Sequence, residues 1–195
     1  MTTCKTLPGQ PHTEATRTWL KTVIVDYNIC PFAKRELDKN SVNFAVDFST
    51  DWEQCLLNLI MECEKLDHQP EIETSLLIYA SAFAEFDDYL DFIGLAETLL
   101  VAQGYEGIYQ LASFHPDYCF EDATPDDPAN YTNRSPYPML HLLRESSIEQ
   151  ALAHYPDPEN IPQRNIALTR AVGLAKMKML LAACYQFGTS TFRGV

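Results

Sequence analysis

The chain has 195 residues and a formal net charge of −13, from 14 basic and 27 acidic side chains. That length suits one globular domain with a sizeable core. The charge excludes the basic stripe a nucleic-acid binder needs and any attraction to an anionic membrane surface. The six cysteines form no C-x-x-C pair, and Cys55, Cys63 and Cys184 lie in apolar helical patterns, where a free thiol behaves as a small hydrophobe. The expected setting is therefore reducing, the cytoplasm by default. The opening MTTCKTLPGQ carries no apolar leader, and no run approaches a membrane span.

Residues 1 to about 11 and the stretch after Gly188 read as loose tails. Thr13 is placed to cap a first helix, with Trp19, Leu20, Val23, Ile24 and Tyr27 at helical spacing. Pro31 ends it and suits the first position of a short second helix capped by Cys30. Val42, Phe44, Val46 and Phe48 alternate with polar or small residues, which predicts a half-buried strand near a sheet edge. Thr50 and Glu53 form a capping box for a helix through Cys63. The apolar run from Ser75 to Ala80 predicts a central strand.

A long helix from about Tyr89 stops at Gly104, and strands follow at Ile108–Phe114 and Met139–Leu143. Ser146 and Glu149 suggest another capping box. Pro162 opens a last helix running to about Cys184, apolar on more than one side, which suits deep burial or a homo-oligomer contact. The predicted fold is α/β, a layered sandwich with a four-stranded mixed sheet and helices packed against it.

Between the last two strands lies the stretch His115 to Tyr137, too polar and proline-rich for helix or strand. Connections beyond about 12–15 residues are uncommon in compact domains and are usually functional or disordered. Tyr118, Phe120, Tyr131 and Tyr137 argue for order, since disordered segments tend to lack aromatic residues.

Three groups of residues offer chemistry. Cys30 at a helix start, with Lys34 and Arg35 nearby, would be held toward the thiolate as a nucleophile; a structural thiol or a metal ligand are the other readings. His115, at a strand end, can move a proton near neutral pH, or cap the turn with Asp117. Asn130, Tyr131, Asn133, Arg134 and Ser135, with Arg164 and Asn165 at the start of the last helix and Arg144 at a strand end, can hold a carboxylate or phosphate; loop-stabilising ion pairs with Asp122, Asp126 or Asp127 are the plainer alternative.

Taken together, Asn28-x-Cys30-Pro31-Phe32, Phe114-His115-Pro116, Ala129-Asn130-Tyr131-x-x-Arg134-Ser135-Pro136-x-Pro138-Met139, Leu143-Arg144 and Arg164-Asn165 resemble an uncharacterised family, a domain of unknown function found in bacteria and in plants and algae. The resemblance spans about Trp19 to Gly173 and implies no activity, cofactor or catalytic residue. The residues themselves lead to an enzyme or enzyme-like pocket for a small anionic metabolite. The long loop would close over it, Arg134 and Arg164 would hold the anion, His115 would move a proton, and Cys30 would be nucleophile or wall. A non-catalytic ligand- or protein-binding regulator, and a metal-binding protein using His115 with Cys30, Cys119 or His141, are the alternatives.

Overall fold

A computed structural model describes residues 7–188. The expected tail after Gly188 lies outside them. The described residues form seven α-helices and four strands, the strands in one mixed sheet of order β1-β2-β4-β3. Strands β1 (Val42–Asp47) and β2 (Thr74–Tyr79) are parallel, and β4 (Met139–Arg144) runs antiparallel to both β2 and β3 (Tyr109–Phe114). The strands fall where the apolar patterns place them. β2 is buried along its whole length, as a central strand must be, and β1 is half-buried at the edge.

Alternation along the strands feeds two cores. Leu77, Tyr79, Leu140 and Leu142 face α3 (Trp52–His68) and α4 (Phe86–Ala102), where Leu59, Tyr89 and Phe92 are fully buried. Leu76, Ile78 and Met139 face the opposite layer, built from α1 (Gln10–Trp19), its π-helical continuation Leu20–Val25, and α7 (Leu174–Ala183). Among the described residues no helix is long and apolar enough to cross a membrane.

Several element ends differ from the sequence expectation. α1 begins at Gln10, so residues 10 and 11 are not frayed: Gly9 takes a left-handed φ of 82° and Pro11 fits the first turn. The cap of α3 is Asp51, not Thr50; its carboxylate accepts from Gln54 N at 2.9 Å. α5 (Glu145–Ala153) starts directly after β4 with no side-chain cap. The last helix is two, α6 (Ile161–Val172) and α7, parted at Gly173 with φ 86° and ψ 152°. Neither is buried all round. α6 buries Asn165 and Thr169, and α7 buries only Met177.

Candidate functional site

The long loop is ordered by its own side chains. Asp127 caps a 3-10 turn (Pro128–Thr132) by accepting from Ala129 N at 2.9 Å. Its carboxylate also receives Arg170 Nη2 at 2.6 Å, and that guanidinium holds it down at about 2. Asn130 is fully buried and bridges three loop segments. Its Oδ1 accepts from Phe120 N at 3.1 Å, and its Nδ2 donates to Thr124 O at 2.8 Å and faces Cys119 Sγ at 3.7 Å. Asn133 donates to Ser113 O at 3.1 Å, and buried Ser135 donates to Tyr137 O at 2.7 Å.

Arg134 donates to Tyr118 O at 2.9 Å and Pro125 O at 3.0 Å, with its guanidinium carbon 5.0 Å from the centre of the buried Tyr131 ring. Its own carbonyl accepts from Trp19 Nε1 at 2.9 Å, which ties the loop to α1. Asp126 and Asp127 pair with Lys178 and Arg170, so the loop arginine is satisfied by backbone carbonyls instead of these acids.

His115 is fully buried against the other core. Its Nε2 lies 2.9 Å from Phe83 O, and its Nδ1 accepts from Asp117 N at 3.0 Å. An acceptor at Nδ1 leaves the proton on Nε2, so this is a neutral imidazole with both nitrogens engaged. Burial pushes its pKa down, while its bond to Phe83 O and the charges of Asp117 and Glu85 resist. It is stacked on Tyr89 at 5.2 Å and clamps Phe83, a non-glycine residue at φ 60°. In this geometry the ring fixes a strained turn.

His115 therefore packs with Phe83 and Tyr89 on one face of the sheet, while Cys30 packs at the margin of the core on the other. The sheet lies between the two residues expected to share a pocket. Arg144 is remote again, at the far end of β4. It donates to Leu66 O at 2.6 Å, Ile72 O at 3.1 Å and Tyr109 Oη at 3.3 Å, bracing the connection from α3 to β2.

What does come together is the turn Asn28–Phe32 with the start of α6, 134 positions along from Cys30 to Arg164. Asn28 takes φ 52°, and Ile29 N donates to Ile24 O at 2.8 Å, closing the π-helical turn. The short helix α2 (Ala33–Asp38) starts at Ala33 with Phe32 before it, so Cys30 is not its cap and Pro31 is not its first residue.

Asn165 Nδ2 donates to Ile29 O at 2.7 Å. Arg164 donates to Tyr155 Oη at 2.9 Å, to Asn165 Oδ1 at 3.0 Å and to Asn28 O. Phe32 packs edge-on to Tyr155, ring centres 5.6 Å apart. Among the described residues no carboxylate pairs with Arg164.

Cys30 sits in the middle of this cluster, partly exposed. Burial raises its pKa, against the expectation of a depressed one. The nearby N–H groups of Phe32 and Ala33, the latter bonded to Cys30 O at 3.3 Å, and the charge of Arg164 oppose that rise. Cys55 and Cys63 are pushed to about 12 and Cys184 to about 11, first by burial. Tyr155 and Phe32 were absent from the residues singled out by type. The only sequence signal for the cluster was that Asn28, Cys30, Phe32, Arg164 and Asn165 recur in the same set of motifs.

His141 faces Thr74, with Nε2 2.6 Å from Oγ1. Thr74 gives its own hydrogen to Leu142 O, so His141 Nε2 must donate. Among the described residues no three His, Cys, Asp or Glu side chains converge as metal ligands.

Residues 12–179 match the family described as Protein of unknown function (DUF1415). No curated protein and no solved structure matches the chain.

Proposed function

The chain belongs to this family of unknown function, so its activity has to be read from its own residues, and we propose that it is an enzyme, or an enzyme-like binder, for a small anionic metabolite, working at the Cys30 turn. One observation carries the reading. Arg164, which pairs with no carboxylate among the described residues, is held on the Asn28 carbonyl and places its charge beside a thiol that is partly open to solvent. Such an arrangement favours negative charge where a reacting group or bound oxygen would sit.

In this reading Arg164 holds the anion and Cys30 is the nucleophile or the wall beside it. Asn165 positions Arg164 and fixes the turn through Ile29 O. His115, Asn130, Tyr131, Asn133, Arg134 and Ser135 act on the site only by shaping the loop, and Arg144 by bracing the sheet. Burial outweighs the opposing groups and raises the thiol's pKa, which favours its neutral form. An anion at Arg164 would therefore bind next to an uncharged sulfur, without like-charge repulsion. The proposal extends to a cytoplasmic location, where free thiols persist. It includes no nucleic-acid partner, given the −13 charge, and a homo-oligomer contact through α7, whose Met179 is exposed.

The test is the rate of Cys30 alkylation by iodoacetamide with small phosphates and carboxylates added, read by peptide mass spectrometry in the wild-type chain and in Arg164→Gln. Protection in the wild type that disappears in Arg164→Gln supports the reading. Alkylation indifferent to every anion rejects it.

A further inference from the structure

We propose that residues 146–160 form a lid over the Cys30 turn, latched by the Tyr155 hydroxyl on Arg164. The stretch holds most of α5 and the 3-10 turn Pro158–Asn160, and none of its residues is buried. Ile148 and Leu152 are half-buried, and neither packs against the two cores. Glu145 N donates to Ile108 O at 3.0 Å and anchors the end next to β4. Asp157, at φ 50°, turns the chain toward α6 at the other end. A stretch with so little buried apolar contact opens at far less cost than the sheet.

Tyr155 is what holds it down. Among the described residues, the side-chain hydrogen bonds and ring contacts that leave the stretch all belong to Tyr155. Its hydroxyl accepts from Arg164 Nη1 at 2.9 Å, and its ring lies edge-on to Phe32. Those partners come from the two halves of the site, the start of α6 and the turn that carries Cys30. One side chain therefore spans the site from above.

The position of the latch gives it a role. A guanidinium carries one hydrogen on Nε and two on each Nη. Arg164 directs Nε to Asn165 Oδ1 at 3.3 Å, and Nη2 to Asn165 Oδ1 at 3.0 Å and to Asn28 O. Those hydrogens serve the fold. The Nη1 pair remains, and Tyr155 holds one of the two. Nη1 is thus where an anion can reach Arg164, and it is the edge under the lid. It offers an anion one hydrogen with the lid closed and two with it open. The role as a gate rests on reading the Cys30 turn as the anion site.

The experiment uses the full chain as wild type, as Tyr155→Phe, which keeps the ring and removes the hydroxyl, and as Tyr155→Ala, which loses both contacts. Amide exchange by NMR follows the lid, and labelling by neutral iodoacetamide follows access to Cys30. In the wild type, residues 146–160 should exchange about ten-fold or more faster than β2 and β4. Tyr155→Phe should speed exchange in the stretch and labelling at Cys30 together, by about three-fold or more, the loss of one hydrogen bond to a charged group. Tyr155→Ala should exceed it, and β2 should be unmoved in both. Exchange in the stretch as slow as in β4, rates unchanged in both variants, or faster exchange with no change at Cys30 overturns the proposal. A rise in β2 exchange equal to that of the stretch is general destabilisation and also overturns it. No anion is present, so the lid can fail while anions still shield Cys30, and the anion reading can fail while these rates move as expected.

Discussion

The long loop and the Cys30 turn are made from the same kinds of residue, and they differ in what lies beside their arginines. In the loop, Arg134, Asn130, Asn133 and Ser135 donate to the backbone carbonyls of Tyr118, Pro125, Thr124, Ser113 and Tyr137. Those groups need partners in any buried irregular segment, so the side chains serve the fold. Around Cys30, Arg164 also bonds a backbone carbonyl, that of Asn28, but its charge lies beside a partly exposed thiol. Polarity and length made the loop the more conspicuous feature. The partly exposed thiol beside Arg164 makes the turn the better site.

The loop depends most on Asn130. Replacing it by alanine leaves Phe120 N–H and Thr124 C=O without their partner in a buried place. Asn130→Ala is expected to lose about 3 kcal/mol of stability in urea unfolding. Alkylation of Cys30 in the still-folded fraction should be unchanged. A loss under roughly 1 kcal/mol would mean that water replaces the amide and that the loop is not built on it.

Much of the scaffold was legible in the chain, because burial leaves a periodic trace. Leu76, Leu77 and Ile78 could only suit a strand covered on both faces, and Val42, Phe44 and Val46 one covered on a single face. Gly173 was harder to read, since apolar residues continue at helical spacing on both sides and only the left-handed φ parts the two helices. The site was legible in its parts but not in its pairing. No spacing rule links Cys30 to Arg164, and nothing in residue type says whether an arginine will find a carbonyl or a ligand. His115 and Arg134 were reasonable candidates on composition. Their neighbours Phe83, Tyr118 and Pro125, set by the tertiary path of the chain, decided what they do.

The histidines near the sheet serve structure, so stability depends on pH. Burial holds the pKa of His141 down at about 4, and those of His12 and His115 also below the ordinary value. A base whose folded pKa is depressed binds its proton more readily when unfolded. Its contribution is therefore whole above pH ~6.5 and is lost as pH falls from there toward ~4. Asp127, held at about 2, acts only below pH ~4. Stability should thus fall between pH 7 and pH 4, and His141→Gln should flatten that slope by about 2 kcal/mol. Denaturant melts of both proteins at several pH values check it. An unchanged slope in the variant would mean that His141 can protonate in place.

The smallest expected effect bears most directly on the central claim, that the Cys30 turn is an anion-favouring site. The measurement is the ratio of alkylation rates at Cys30 for iodoacetate, which is anionic, and iodoacetamide, which is neutral. The ratio cancels the thiol's own ionisation and its exposure, leaving the local potential. It should be higher at Cys30 than at Cys119, whose loop holds Asp117, Glu121 and Asp122. It should also fall about three-fold or more in Arg164→Gln, the size of one screened charge near the surface. A ratio at Cys30 equal to that at Cys119, unmoved by Arg164→Gln, would contradict the account.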